Sequence, residues 1–185
     1  MLKLNEPVEV DETYKNAGRK GGKKRRDSRR RGRKGRGRGT YASDRPPTFT
    51  IYGKHTRFII YRTTKNATGG IAKRIIMNHV VPNNEVHTDE YPIYKSISGV
   101  YRHRCVNHAA RKYACNGVSV NGAEYANQRF KEFLINKRGV SKANLDGYSA
   151  MATIWVNTTT MTPKGAFWRL IYWLMTSKHN NRYGG

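Results

Sequence analysis

The sequence predicts an α/β domain built on a mixed sheet, and three observations lead there. Residues Val8–Tyr14 form a β-branched run with period-two alternation, which is a strand pattern. Two further runs, 48–52 and 58–63, flank Gly53-Lys54-His55-Thr56 as the arms of a hairpin. Beyond them, helix-like and strand-like stretches alternate instead of segregating, which favours mixed layers over an all-β or all-α chain.

The elements follow in order. Across 67–79, Ile71, Ala72, Ile75, Ile76 and His79 recur at helical spacing and give one apolar face. Pro82-Asn83-Asn84 breaks that helix, and 85–89 is a short strand ending in a carboxylate. Pro92 suits the first turn of another helix, and 103–106 forms another short strand. The clearest helix spans 121–137, with Ala123, Ala126, Phe130, Phe133 and Leu134 as its stripe and Gly139 as its cap. A helix over 144–157 is expected to bury Leu145, Tyr148, Met151, Ala152 and Trp155. Thr162-Pro163 opens a last helix, in which Trp168 and Trp173 are expected to pack in the core, a lipid-facing or partner surface being the alternative. We therefore divide the chain into a domain over 1–143, interrupted by a basic arm at 15–47, and a helical extension over 144–185 packed on it.

Composition restricts the partners. There are 36 Lys and Arg against 12 Asp and Glu, a formal charge of +24, which calls for a polyanion such as nucleic acid or a membrane surface. No run of about 18 apolar residues exists to cross a bilayer. The basic segment also lacks the apolar face of a membrane-surface anchor. Residues 1–7 lack the apolar stretch of a signal peptide. Cys105 and Cys115 make neither a disulfide framework nor a zinc motif and read as buried structural cysteines of a reducing compartment. Within the arm, Arg25, Arg26, Arg29, Arg30, Arg31, Arg33, Lys34, Arg36 and Arg38 are the candidate phosphate contacts; the plainer alternative is a solvated charge run.

With so few acids in the chain, three stand out. Asp11 interrupts an apolar strand, where an unpaired carboxylate is costly. Asp89 ends a strand, a position at which open α/β sheets bind ligands, although a helix cap would also explain it. Glu124 lies at the edge of its helix stripe, and Lys131, two turns on, projects within about 20° of it; a solvated flank is the alternative. Three such oxygen donors suit Mg²⁺ or Mn²⁺, and a pair of ions can break and rejoin a phosphodiester.

Four blocks stand in order: Val8-Glu9-Val10-Asp11-Glu12-Thr13-Tyr14, Thr88-Asp89-Glu90-Tyr91, Val106-Asn107-His108 and Asn121-Gly122-Ala123-Glu124. Together they resemble the signature of the DDE transposases of bacterial and archaeal insertion sequences, the ISXO-like type related to the Merlin elements. Asn180-Asn181-Arg182 is similar to that family's closing Tyr-Asn-Arg. The resemblance implies a ribonuclease H-like catalytic domain that cleaves and transfers DNA strands. It implies Asp11, Asp89 and Glu124 as the catalytic and metal-binding triad, with two Mg²⁺ or Mn²⁺ ions, and Lys131 as a DNA contact. Asn121 and His108 fall in blocks near the site as secondary candidates. Transposon ends and target DNA are the implied partners, a homodimer on DNA the working form, and the cytoplasm and nucleoid of a prokaryote the location. Such proteins usually carry a DNA-reading module ahead of the first acid, and no cysteine motif precedes Asp11 here. The competing expectation is a basic nucleic-acid-binding protein without catalysis, such as a decayed transposase, a repressor or a ribosome-associated protein. The two part on whether the three acids gather.

Overall fold

The computed structural model describes residues 3–18, 37–106, 118–159 and 161–178. Five strands form one sheet: β1 (Val8–Tyr14), β2 (Pro47–Gly53), β3 (Ile59–Thr63), β4 (Glu85–Thr88) and β5 (Arg102–Cys105). Their spatial order is β3-β2-β1-β4-β5. The first three strands pair antiparallel, whereas β4 runs parallel to β1 and β5 parallel to β4. Parallel neighbours need crossovers, and helices supply them: α1 (Gly69–His79) leads into β4, and a 3-10 helix (Pro92–Ile97) into β5. After β5 come α2 (Asn121–Ile135), a 3-10 turn (Lys142–Asn144), α3 (Leu145–Thr158) and α4 (Pro163–Lys178).

Alternation along the strands sorts the core into two layers. Val8 and Val10 of β1, Phe49 and Ile51 of β2 and Ile60 of β3 pack with Ala72, Ile75 and Ile76 of α1 and with Tyr94 and Ile97. On the other face, Ile59 and Tyr61 pack with Ala126, Phe130, Phe133 and Leu134 of α2 and with Leu145 and Ala152 of α3. The Tyr61 and Phe130 rings lie 4.9 Å apart, and the Tyr61 hydroxyl donates to the Ala126 carbonyl. Thr68 caps α1 by accepting from the Ile71 N–H. Glu6 fixes the hairpin turn, accepting from the backbone N–H of His55 and of Thr56 at 2.6 and 3.0 Å.

Several expectations are corrected. The α2 helix ends at Ile135, so Gly139, with φ of 100°, serves the turn beyond it rather than the cap itself. Pro92 opens a 3-10 helix rather than an α-helix. The buried face of α3 is Leu145, Ser149, Ala152, Thr153 and Asn157, while Met151 is exposed. The cause is edge strand β3, whose outward backbone groups need partners. Thr153 accepts from the Tyr61 N–H, Asn157 both accepts from and donates to Ile59, and Ser149 shares a hydrogen bond with Thr63. Polar side chains therefore face inward, because they close the sheet edge. Trp168 is 57% exposed beside exposed Phe167 instead of packed in the core. Cys105 is exposed rather than buried. The side chain of Trp173, and Cys115 and 180–182 altogether, lie outside the described residues.

Candidate active site

The parallel pairing of β1 with β4 sets Val8 beside Val86 and Glu9 beside His87. Continuing that register brings Asp11 level with Asp89, one residue past the end of β4. Strand alternation turns Glu9 and Asp11 to the face covered by α2, which carries Glu124 in its first turn. The carboxyl of Asp11 is pushed up to about 6, first by burial and then by the charges of Asp89 and Glu124. A Glu12 N–H and the Asn127 amide act in the opposite sense by donating to Asp11. Acids from three distant parts of the chain thus share one electrostatic field. Among the described residues, however, no three His, Cys, Asp or Glu side chains form a ready-made metal cage.

Burial first, and then the charges of Asp89 and Glu124, raise the proton affinity of Asp11, and carboxylate oxygens are the kind of donor that Mg²⁺ and Mn²⁺ accept.

Asp89 is not the cap of the 3-10 helix, whose cap position is Tyr91 with no side-chain hydrogen bond. One oxygen accepts from the Tyr91 N–H at 3.0 Å, just ahead of the 3-10 helix, and the other stands 4.0 Å from Arg38. Glu124 is exposed, Lys131 is half-buried on the same helix, and Asn121 is the exposed first residue of α2. Of the basic candidates, only Arg38 and Lys131 are described; Arg25, Arg26, Arg29, Arg30, Arg31, Arg33, Lys34 and Arg36, like His108, lie outside the described residues. Arg38 is found against the acids, its Nε 3.5 Å from Glu12 and its guanidinium 3.5 Å from the Tyr91 ring centre.

Four further residues shape the site, and none had a role assigned to it from the sequence. Glu9 accepts from the Gly122 and Ala123 N–H groups at 2.6 and 3.1 Å and from the Ser119 hydroxyl at 2.6 Å. It closes the open N-terminus of α2 in place of a capping side chain, since Val120 at that position offers none. Gly122 is required by close approach: a Cβ there would stand 2.4 Å from the Tyr52 ring. Asn127, buried, bridges Thr50 of β2 and Asp11 of β1. Glu12, pointing to the opposite face from Asp11, has its carboxyl raised to about 7 by burial, opposed by a 2.6 Å hydrogen bond from the Tyr94 hydroxyl.

Residues 3–154 match the family described as ISXO2-like transposase domain. A protein of Halobacterium salinarum, described as an uncharacterized protein in transposable element ISH50, is 34% identical over 149 residues. That match takes in 78% of this chain and 50% of the relative, so the chain spans about half the length of that protein. Among solved structures, a simian T-cell lymphotropic virus intasome in complex with PP2A regulatory subunit B56 gamma aligns with a TM-score of 0.56 at 12% identity, over 88% of this chain and 51% of that one. The HTLV-2 integrase catalytic core domain in complex with magnesium aligns with a TM-score of 0.49 at 8% identity, over 88% and 91% of the two chains. The strand order and directions are those of the ribonuclease H-like fold.

Proposed function

Since this chain belongs to the ISXO2-like transposase domain family, we propose that it cleaves DNA strands and joins them to a target with the help of divalent metal. Asp11, Asp89 and Glu124 are the residues that would hold Mg²⁺ or Mn²⁺, as two ions. When bound, the metal supplies Lewis-acid activation of the attacking water or 3′-hydroxyl and neutralises charge on the leaving oxygen. The chain does the rest. Asn127 orients Asp11 by donating to one carboxylate oxygen. Glu9 anchors the start of the helix that carries Glu124. Lys131, the basic arm and the overall charge of +24 hold the DNA backbone against the repulsion of the acids. Two copies on paired DNA ends would give the two active sites that joining needs.

The observation supporting this reading is the β1–β4 register, which continues to set Asp11 level with Asp89 on the face covered by α2, the helix that carries Glu124. Its test is nicking of supercoiled plasmid DNA with Mg²⁺ or Mn²⁺, alongside DNA binding in EDTA. Asp89→Asn is expected to abolish nicking and leave binding in place; unchanged nicking would remove the assignment. A second reading, DNA binding without cleavage, draws on the absence of a ready-made cage among the described residues. It predicts no metal-dependent nicking from the unmodified chain.

A further inference from the structure

The proposed triad does not account for Glu12. Glu12 follows Asp11 directly, its side chain is only 3% exposed, and the charges of Asp11 and Asp89 act on it. A buried carboxylate that feels two others is unfavourable unless something holds it, and two groups do. One oxygen takes the Tyr94 hydroxyl at 2.6 Å, and the other faces Arg38 Nε at 3.5 Å. Arg38 in turn lies flat on Tyr91, which stands edge-on to Tyr94 with ring centres 6.4 Å apart. The guanidinium is thus supported on one face by an aromatic ring and on one edge by a buried carboxylate.

The backbone behind it is fixed as well. Thr40 and Ser43 close a turn through reciprocal hydrogen bonds, and the Arg45 N–H donates to the Thr40 carbonyl at 2.9 Å. The Tyr41 N–H donates to the Lys65 carbonyl beyond β3 at 2.8 Å. Gly39 sits so tightly that a Cβ would meet Arg45 at 2.4 Å. A loop that served only as a flexible charged tether would have no need of this packing. Arg38 nevertheless keeps 54% of its side chain exposed. It stands at the rim of the acidic centre, with Nη2 4.0 Å from Asp89, where a DNA backbone must pass to be cut there.

We propose that Glu12, Tyr91 and Tyr94 form a cradle presenting Arg38 as a preset clamp for a DNA phosphate beside the acidic centre. Glu12 is a positioning residue: it acts through Arg38 and does not touch the DNA. A preset fork loses less freedom on binding than a free arginine, so it contributes more per contact. The proposal rests on the DNA-cleaving reading for its location, and on the cradle geometry for its content.

The test is a sign. At pH 8.5, where the Glu12 carboxyl is ionised, removing its negative charge beside a polyanion should by itself tighten DNA binding. The cradle demands the reverse. Binding of a fluorescein-labelled 30-base-pair duplex of arbitrary sequence is measured by anisotropy, in EDTA, with the full chain. Arg38→Ala is expected to weaken binding roughly tenfold, the scale of one lost charge-assisted contact. Glu12→Gln, which keeps Arg38, is expected to weaken it several-fold, and the double variant no more than Arg38→Ala alone. Tyr91→Leu, which leaves both charges, is expected to weaken it as well and serves if Glu12→Gln does not fold by circular dichroism. Tighter or unchanged binding in whichever of these variants is folded overturns the cradle. Because the readout is metal-free binding, loss of the cradle is distinguishable from loss of the cleavage reading, which rests on nicking by the unmodified chain and its failure in Asp89→Asn.

Discussion

Asn127 of α2 donates its side-chain amide to Asp11 Oδ2 at 2.7 Å, while its carbonyl oxygen accepts from the Thr50 hydroxyl on β2. One buried amide thereby ties a helix to two strands and fixes the orientation of the central acid. Asn127→Leu leaves the Thr50 hydroxyl without that partner and frees the Asp11 carboxylate to turn. Urea denaturation should show a loss of about 1–3 kcal/mol. Nicking should fall at least tenfold, beyond what the unfolded fraction accounts for.

Gly122 and Glu9 together set where α2 begins. Gly122→Ala drives a methyl into the Tyr52 ring and to 2.9 Å from a Glu9 oxygen. The expected cost in unfolding free energy is about 1–3 kcal/mol. If the ring is the obstacle, Tyr52→Ala and Gly122→Ala will be non-additive, the double variant being more stable than the sum predicts. Glu9→Ala strips the helix N-terminus of its acceptor and should cost about 2 kcal/mol, with Glu9→Gln costing less.

His79 makes stability depend on pH. It is buried at the end of α1, its Nδ1–H donating to the Ile75 carbonyl and its Nε2 accepting from Arg62. Burial, reinforced by the charges of Arg62 and Lys3, lowers its pKa to about 4 from an ordinary 6.5. The unfolded chain therefore takes up a proton below pH 6.5 that the folded chain refuses until about pH 4. Stability should fall as pH drops through that window, by about 3 kcal/mol in full. Asp11 and Glu12, whose carboxyls are raised, act in the opposite direction, so the diagnostic quantity is the difference from His79→Gln. That difference should shrink toward pH 4 in denaturant titrations.

These residues also show what a sequence reveals and what it hides. Strand β1, the hairpin, α1 and the stripe of α2 were readable because each has a periodic pattern that one buried face imposes. Asp11, Asp89 and Glu124 stood out as acids in a basic chain. The role of Glu9 was hidden because its partners are backbone N–H groups far along the chain, and a backbone group has no signature in the alphabet of side chains. The face of α3 was misread for a related reason. Periodicity assumes that a buried face is apolar, but the edge of β3 asks for hydrogen bonds, so Ser149, Thr153 and Asn157 turn inward and Met151 turns out. Arg38 looked like any other arginine of its run. Only the positions of Glu12 and Tyr91 distinguish it.

The central claim is that Asp11, Asp89 and Glu124 hold metal jointly. Titration of the full chain with Mn²⁺, followed by electron paramagnetic resonance of the free ion, addresses it without reference to turnover. Uptake of Mn²⁺ by the unmodified chain is predicted, weakened at least tenfold in each of Asp11→Asn, Asp89→Asn and Glu124→Gln while all remain folded. Mn²⁺ binding by Glu124→Gln as tight as that of the unmodified chain would contradict the claim.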